Sequence, residues 1–151
     1  MISESARMSS AAEARFRIDK PNSRRRTVKV IALDRPAESV VDALARGEWD
    51  GAAFFKAAEL TDHPARLAEA VHGADLVVMI ATAGETTPGV AAIGEACSDR
   101  RVTTTGLILG SEHSTDDALS RTLTELRPWI LMLVLANSKE YIEDMLRALR
   151  A

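Results

Sequence analysis

The fold class this sequence predicts is α/β: a parallel sheet covered by helices on both faces. Three observations carry that expectation. From Thr27 to Ala151, short apolar runs alternate with amphipathic segments. The strongest run, Asp75 to Thr82 (DLVVMIAT), is apolar on both faces, as a central strand between two helical layers must be. Each amphipathic segment opens on a proline or on a capping Ser, Thr, Asp or Asn. The 151 residues suit one domain of ordinary size. Hydrophobic residues make up 46% of them and aromatics only 4%, so the core must be aliphatic.

Thr27 to Leu33 (TVKVIAL) reads as the first strand, rich in β-branched residues. Pro36 suits the first turn of the helix that follows, because its missing N–H is not needed there. Val40, Val41 and Leu44 give that helix an apolar face, and Gly47 ends it. Asp50 to Lys56 (DGAAFFK) is a weaker second strand. Asp62 as cap and Pro64 in the first turn open a second helix, with Leu67, Ala68 and Val71 inward and Gly73 at its end. After the strand Asp75 to Thr82, Thr87 and Pro88 start a third helix with Val90, Ile93 and Cys97 inward. Val102 to Leu109 (VTTTGLIL) is a fourth strand. Thr115, Asp116 and Asp117 cap and charge the next helix, whose face is Leu119, Leu123 and Leu126. Trp129 to Ala136 (WILMLVLA) is the fifth strand. Asn137 or Ser138 caps a last helix with Tyr141, Ile142, Met145, Leu146 and Leu149 on its inner face.

Five strands alternating with five helices imply right-handed crossovers and a three-layer, Rossmann-like sandwich. The simplest strand order for this count is the flavodoxin-like 2-1-3-4-5. Residues 27–151 form the domain. Residues 1–26 lie outside the pattern, apart from a short edge strand over Arg15 to Ile18 (RFRI). This arm carries seven basic groups against three acidic ones, a net +4. The rest of the chain, with 12 basic against 19 acidic groups, stands at -7. The body offers no basic face and no aromatic stacking platform, so nucleic acid is not the expected partner. No apolar run approaches the roughly 20 residues that span a bilayer. The opening MISESARMSS lacks the apolar stretch of a secretory leader, and Cys97 is the single cysteine. A reduced, cytoplasmic setting is the expectation.

In open α/β sheets ligands bind beyond the carboxyl ends of the strands. That rule singles out Asp34 and Arg35, Lys56, Thr82 to Gly89, Gly110 to Ser114 and Asn137 to Lys139. The third of these loops, Thr82-Ala83-Gly84-Glu85-Thr86-Thr87-Pro88-Gly89, is the best candidate. Thr82, Thr86 and Thr87 offer hydroxyls, and Gly84 and Gly89 let a ligand approach the backbone. A helix start behind them favours an anion. Gly84 and Gly89 have the G-x-x-x-x-G spacing of a phosphate loop, but Val90 and Ala91 stand where Lys and Ser or Thr should follow. Glu85 opposes phosphate unless a metal is present; Asp34 or Glu85 would accept hydrogen bonds or hold a metal. The plain alternative is a well-capped turn that binds nothing. No metal-ligand spacing links His63, His72 and His113, and no cofactor fingerprint is present, since the first turn lacks G-x-G-x-x-G. His113, near Glu112 and Asp116, is a candidate general base, or an exposed loop histidine. Cys97 reads as a buried small hydrophobe. Trp49 and Trp129 are expected to pack against helices or a subunit.

Residues 75–110, DLVVMIATAGETTPGVAAIGEACSDRRVTTTGLILG, resemble the signature-loop region of FtsZ/tubulin-type GTPases. The shared features are an apolar strand, a Gly/Thr loop, a helix of small residues and a Thr- and Gly-containing strand. Gly84, Thr86 or Thr87, and Gly89 carry over from the family's loop of close to G-G-G-T-G-T/S-G. Asp34-Arg35-Pro36 replaces the family's first glycine loop. The resemblance implies a related Rossmann-like core that has lost, or never had, nucleotide hydrolysis. Asp34, Ser111 and Lys139 are similar to positions of phosphoacceptor receiver domains, but Thr82 stands where their phosphorylated Asp would be, which excludes phosphotransfer.

The reading favoured by these residues is a non-catalytic ligand-binding or regulatory domain. Its ligand is small and polar, with phosphorylated compounds included, and its site comprises Asp34, Thr82, Gly84, Glu85, Thr86, Thr87, Gly89 and His113. The second reading is a homo-oligomeric interaction subunit without such a site. The third is a small enzyme using His113 with Glu112 or Glu85.

Overall fold

The computed structural model describes residues 25–151. The basic arm up to Arg24 and the expected edge strand at Arg15 to Ile18 lie outside the described residues. Five parallel strands form one sheet: β1 (Val28–Ala32), β2 (Ala52–Lys56), β3 (Leu76–Thr82), β4 (Thr103–Leu109) and β5 (Met132–Ala136). Their order is β2-β1-β3-β4-β5, the simplest order for five such strands. Six α-helices join and follow them: α1 (Arg35–Ala45), α2 (Ala57–Thr61), α3 (Pro64–Val71), α4 (Val90–Asp99), α5 (Asp116–Leu126) and α6 (Lys139–Ala148).

Alternate residues of the central strands feed two separate cores. Val28, Val30, Leu76, Val78, Ile80 and Leu107 pack under α1 and α6 through Val41, Leu44, Ile142 and Leu146. Ile31, Val77, Met79, Ala81 and Ile108 pack under α2 to α5 through Leu60, Leu67, Ile93, Cys97 and Leu126. With almost no aromatic bulk, the cores depend on close aliphatic interdigitation. The chain's first crossover therefore lies on one face and the next three on the other. The faces change between β1 and β3, the switch point at which this topology opens a crevice.

Several boundaries depart from expectation. The segment after β2 forms two helices. Residues 57–61 (AAELT) add a short α2 ahead of α3, and His63, not Asp62, occupies the α3 cap position without a side-chain bond. Helix α4 begins at Val90, because Thr87 and Pro88 belong to the preceding turn. Tyr141 is exposed, so the inner face of α6 is Ile142 and Leu146, with Met145 and Leu149 half-buried. Ser138 is the α6 cap and accepts from the Tyr141 N–H at 3.2 Å.

Trp129 does not open a strand. Arg127 to Trp129 form a 3₁₀ turn, Pro128 starting it, and β5 begins at Met132. The reason lies in two glycines. A Cβ on Gly94 would stand 2.6 Å from the Trp129 indole, and one on Gly106 would stand 2.7 Å from Ile130 Cδ1. Trp129 and Ile130 fill those two notches, and the Trp129 carbonyl accepts the buried Thr104 hydroxyl at 2.9 Å. Trp49 likewise packs within the domain. Its ring lies 5.6 Å from Phe54, the Arg147 guanidinium sits over it at 4.4 Å, and its N–H donates to the Leu44 carbonyl.

A methyl group at Gly94 has no room unless the indole moves. Gly94→Ala should lower stability by about 1–3 kcal/mol, the usual range for overpacking. Urea unfolding followed by tryptophan fluorescence measures it; an unchanged midpoint would contradict this account of the Trp129 notch.

Candidate functional site

The carboxyl end of β1 is tied to that of β3 through Asp34. The residue leaves β1 with extended backbone (φ -138) and caps α1. Its Oδ1 accepts from the Ala37 N–H at 2.9 Å and from the Thr82 hydroxyl at 3.0 Å. Its Oδ2 accepts from the Thr82 N–H at 2.5 Å. The carboxylate is buried, and these donors, with the positive end of α1, replace the water it has lost. Asp34 and Thr82, both expected to meet ligand, thus satisfy one another.

The loop after β3 is pinned to α5 along its length. Gly84, in a left-handed conformation (φ 89), donates its N–H to Thr122 Oγ1 at 2.9 Å. Thr87 is buried, and both its N–H and its hydroxyl reach Glu125 Oε2, at 3.1 and 2.6 Å. Gly89 is buried against α2, where a Cβ would stand 3.1 Å from Thr61 Cγ2. Gly84 and Thr87 therefore hold the loop, Gly89 lets it approach α2, and Glu85 and Thr86 remain exposed at its tip. Thr122 and Glu125 were not legible as partners. Thr122 is buried on the same face of α5 as Leu126, and Glu125 is exposed at its flank; only the path of the loop brings them into play.

A cleft of about 360 Å³ opens at the switch point between β1 and β3. Leu33, Arg35 and Glu38 line it from the β1 side, Ala57 and Thr61 from α2, and Glu85, Thr86 and Gly89 from the β3 loop. The structure thus brings together Asp34, Glu85, Thr86 and Gly89 among the expected site residues. Arg35, the cation beside them, and Glu38, one turn further along α1, complete the charged lining. The α2 wall was missed because residues 57–61 carry no apolar periodicity long enough to signal a helix.

His113 stands apart. It lies in a 3₁₀ turn after β4, outside the cleft lining, with its side chain 83% exposed and its Nε2 3.6 Å from Glu112. Lys56 pairs with Asp42 at 3.3 Å. Among the described residues no group of three His, Cys, Asp or Glu side chains could hold a metal ion, and no helix is long and apolar enough to cross a membrane. Cys97 is fully buried, and burial pushes its thiol up to about 11, with Arg100 opposing the shift.

No protein-family model matches the sequence, and no curated protein matches it. Among solved structures, translation elongation factor SelB from Methanococcus maripaludis, crystallised in complex with the GTP analogue GppNHp, is similar. The TM-score is 0.53 at 8% identity, over 83% of this chain and 34% of that one. The likeness is one of fold. This chain spans about a third of the factor's length.

Two predictions follow the geometry. Asp34→Ala should lose the helix cap, about 1 kcal/mol, and leave the Thr82 N–H unpaired, roughly a further 1–3 kcal/mol. Asp34→Asn should recover only part, because its amide N–H₂ meets another donor. Chemical denaturation of both variants measures this, and full stability in the alanine variant would contradict the tie. Cys97, protonated well above neutral pH, should resist iodoacetamide at pH 8 in the folded chain and react once urea unfolds it. Rapid labelling of the native protein would contradict its burial.

Proposed function

We propose that this chain is a non-catalytic ligand-binding or regulatory domain whose site is the cleft between the β1 and β3 ends. The observation that carries the reading is the position of that cleft. It lies where the crossovers change faces, and its walls come from the ends of β1, β2 and β3. Pockets of this size take small molecules. The lining mixes apolar contacts (Leu33, Ala57, Pro88) with groups that fix orientation: Arg35, Glu38, Thr61, Glu85 and Thr86. The ligand is small and polar. Thr86 supplies a hydroxyl, Glu85 and Glu38 accept hydrogen bonds, and Arg35 meets an anionic group. A phosphorylated ligand would rest on Arg35, because the two glutamates repel it.

Nucleotides are the first class to test. Residues 75–110 resemble the FtsZ/tubulin signature region, and one neighbour in fold is a factor crystallised with a GTP analogue. Both considerations support that class without naming a member of it.

The test is a thermal-shift screen against nucleotides, dinucleotides, flavins, sugar phosphates and divalent metals. A ligand at 100 times its dissociation constant adds about 2.7 kcal/mol of stability, and the melting temperature should rise accordingly. The double variant Glu85→Gln, Thr86→Ala changes only exposed side chains and should abolish that rise while melting like the parent. Thr87 is no substitute, since its loss would loosen the loop from Glu125. A shift that survives in the double variant, or none across the panel, would sink the proposal.

A further inference from the structure

We infer that two copies of this chain pair through the outer edge of β5 to form a symmetric dimer with a continuous sheet. The two edges of the sheet differ. At the β2 edge, Lys56 pairs with Asp42, and Phe54 lies against Trp49 beneath Arg147. Charged side chains of this kind discourage pairing with another strand. Among the described residues the β5 edge has no such guard. The run Ile130 to Ala136 (ILMLVLA) contains no charge, proline or glycine. Leu131 is 79% exposed, Met132 57% and Leu135 47%. A long apolar edge left open is an invitation to strand addition.

The backbone specifies the register. The Leu131 N–H donates to the Thr104 carbonyl, so Leu131, Leu133 and Leu135 turn their polar groups toward β4. Met132, Val134 and Ala136 turn theirs outward. A two-fold axis at Val134 sets Val134 opposite its own copy and Met132 opposite Ala136. Every outward N–H and C=O of the strand then finds a partner. Large Met132 faces small Ala136, and exposed Leu135 faces Leu133 on the other side of the sheet.

The flanking surface fits a second copy for the same reason. An apolar groove on the lower half of the sheet is lined by Leu76, Met132, Val134, Met145 and Leu149, with Arg26 among them. At the upper end of α6, Tyr141 projects 49% exposed, between Glu140 and Asp144. An antiparallel two-fold carries each upper end to the partner's lower end. Tyr141 of each copy meets the other's groove, and the acidic pair meets Arg26. Knob and groove on one surface, matched twice by one rotation, are what an isologous interface requires.

Sedimentation equilibrium of the full chain tests this, with Leu135→Lys and Tyr141→Glu, both at exposed positions. The parent should sediment as a dimer in the micromolar range and each variant as a monomer, with melting of the dilute protein unchanged. Val134→Cys should form a disulfide-linked dimer on mild oxidation, since a directly paired position across two strands stands about 5.5 Å apart, within disulfide reach. Met132→Cys, several residues from its copy in that register, should not. A monomeric parent overturns the inference and leaves the edge to a different partner. A dimer that survives Leu135→Lys, or one that cross-links through Met132→Cys and not Val134→Cys, overturns it too.

Discussion

The carboxylate of Asp34 is the constraint on which the rest of this structure turns. A buried anion must be surrounded by donors, and in an apolar core those donors are scarce. Asp34 finds them at the one place where β1 ends, α1 begins and β3 ends. One side chain thereby sets the direction in which α1 leaves the sheet and the height at which β3 stops. Since α1 crosses one face and α4 the other, it also sets the floor of the crevice between them. No described buried side-chain nitrogen or oxygen lacks a partner, so the floor is closed chemically as well as sterically.

The β3 loop shows how the same residue types divide between holding and binding. Its threonines and glycines look alike in the sequence. In the fold, Thr82, Gly84 and Thr87 spend their donors on Asp34, Thr122 and Glu125, while Glu85 and Thr86 face the cleft. A loop anchored at both ends presents its tip in a fixed place, which favours binding by limiting the order that must be imposed. The anchoring also removes the free row of N–H groups that a phosphate loop would need. That leaves Arg35 as the cation in the cleft lining.

The α/β alternation, the two-sided burial of β3 and the strand ends where a crevice opens were legible in the sequence, because they follow from alternation and hydrophobic period; the strand order was only the simplest choice for five strands. What was not legible depends on tertiary contact. Trp129 looked like the start of a strand because it heads an apolar run. Gly94 and Gly106, distant in sequence, make the notches that hold it and Ile130 out of the ladder. Asp34 is expected at the site from its position alone, but its partner Thr82 is 48 residues away and no local pattern announces their bond. Helix α2 was hidden by its brevity, although it supplies one wall of the cleft. Tyr141 fell on the apolar stripe of α6 by spacing alone. In the fold Ile142 and Leu146 take the buried positions of that helix and Tyr141 stays outside them.

The proposal that this protein meets its ligand in the crevice between β1 and β3 has a direct readout. Amide chemical-shift mapping tests it most directly. The labelled chain would be titrated with whichever compound raises its melting temperature. Perturbations should concentrate at residues 33–38, 57–61 and 85–89, with the β5 edge and His113 unmoved. Perturbations centred on His113, or on β5 and α6, with the crevice silent, would contradict it.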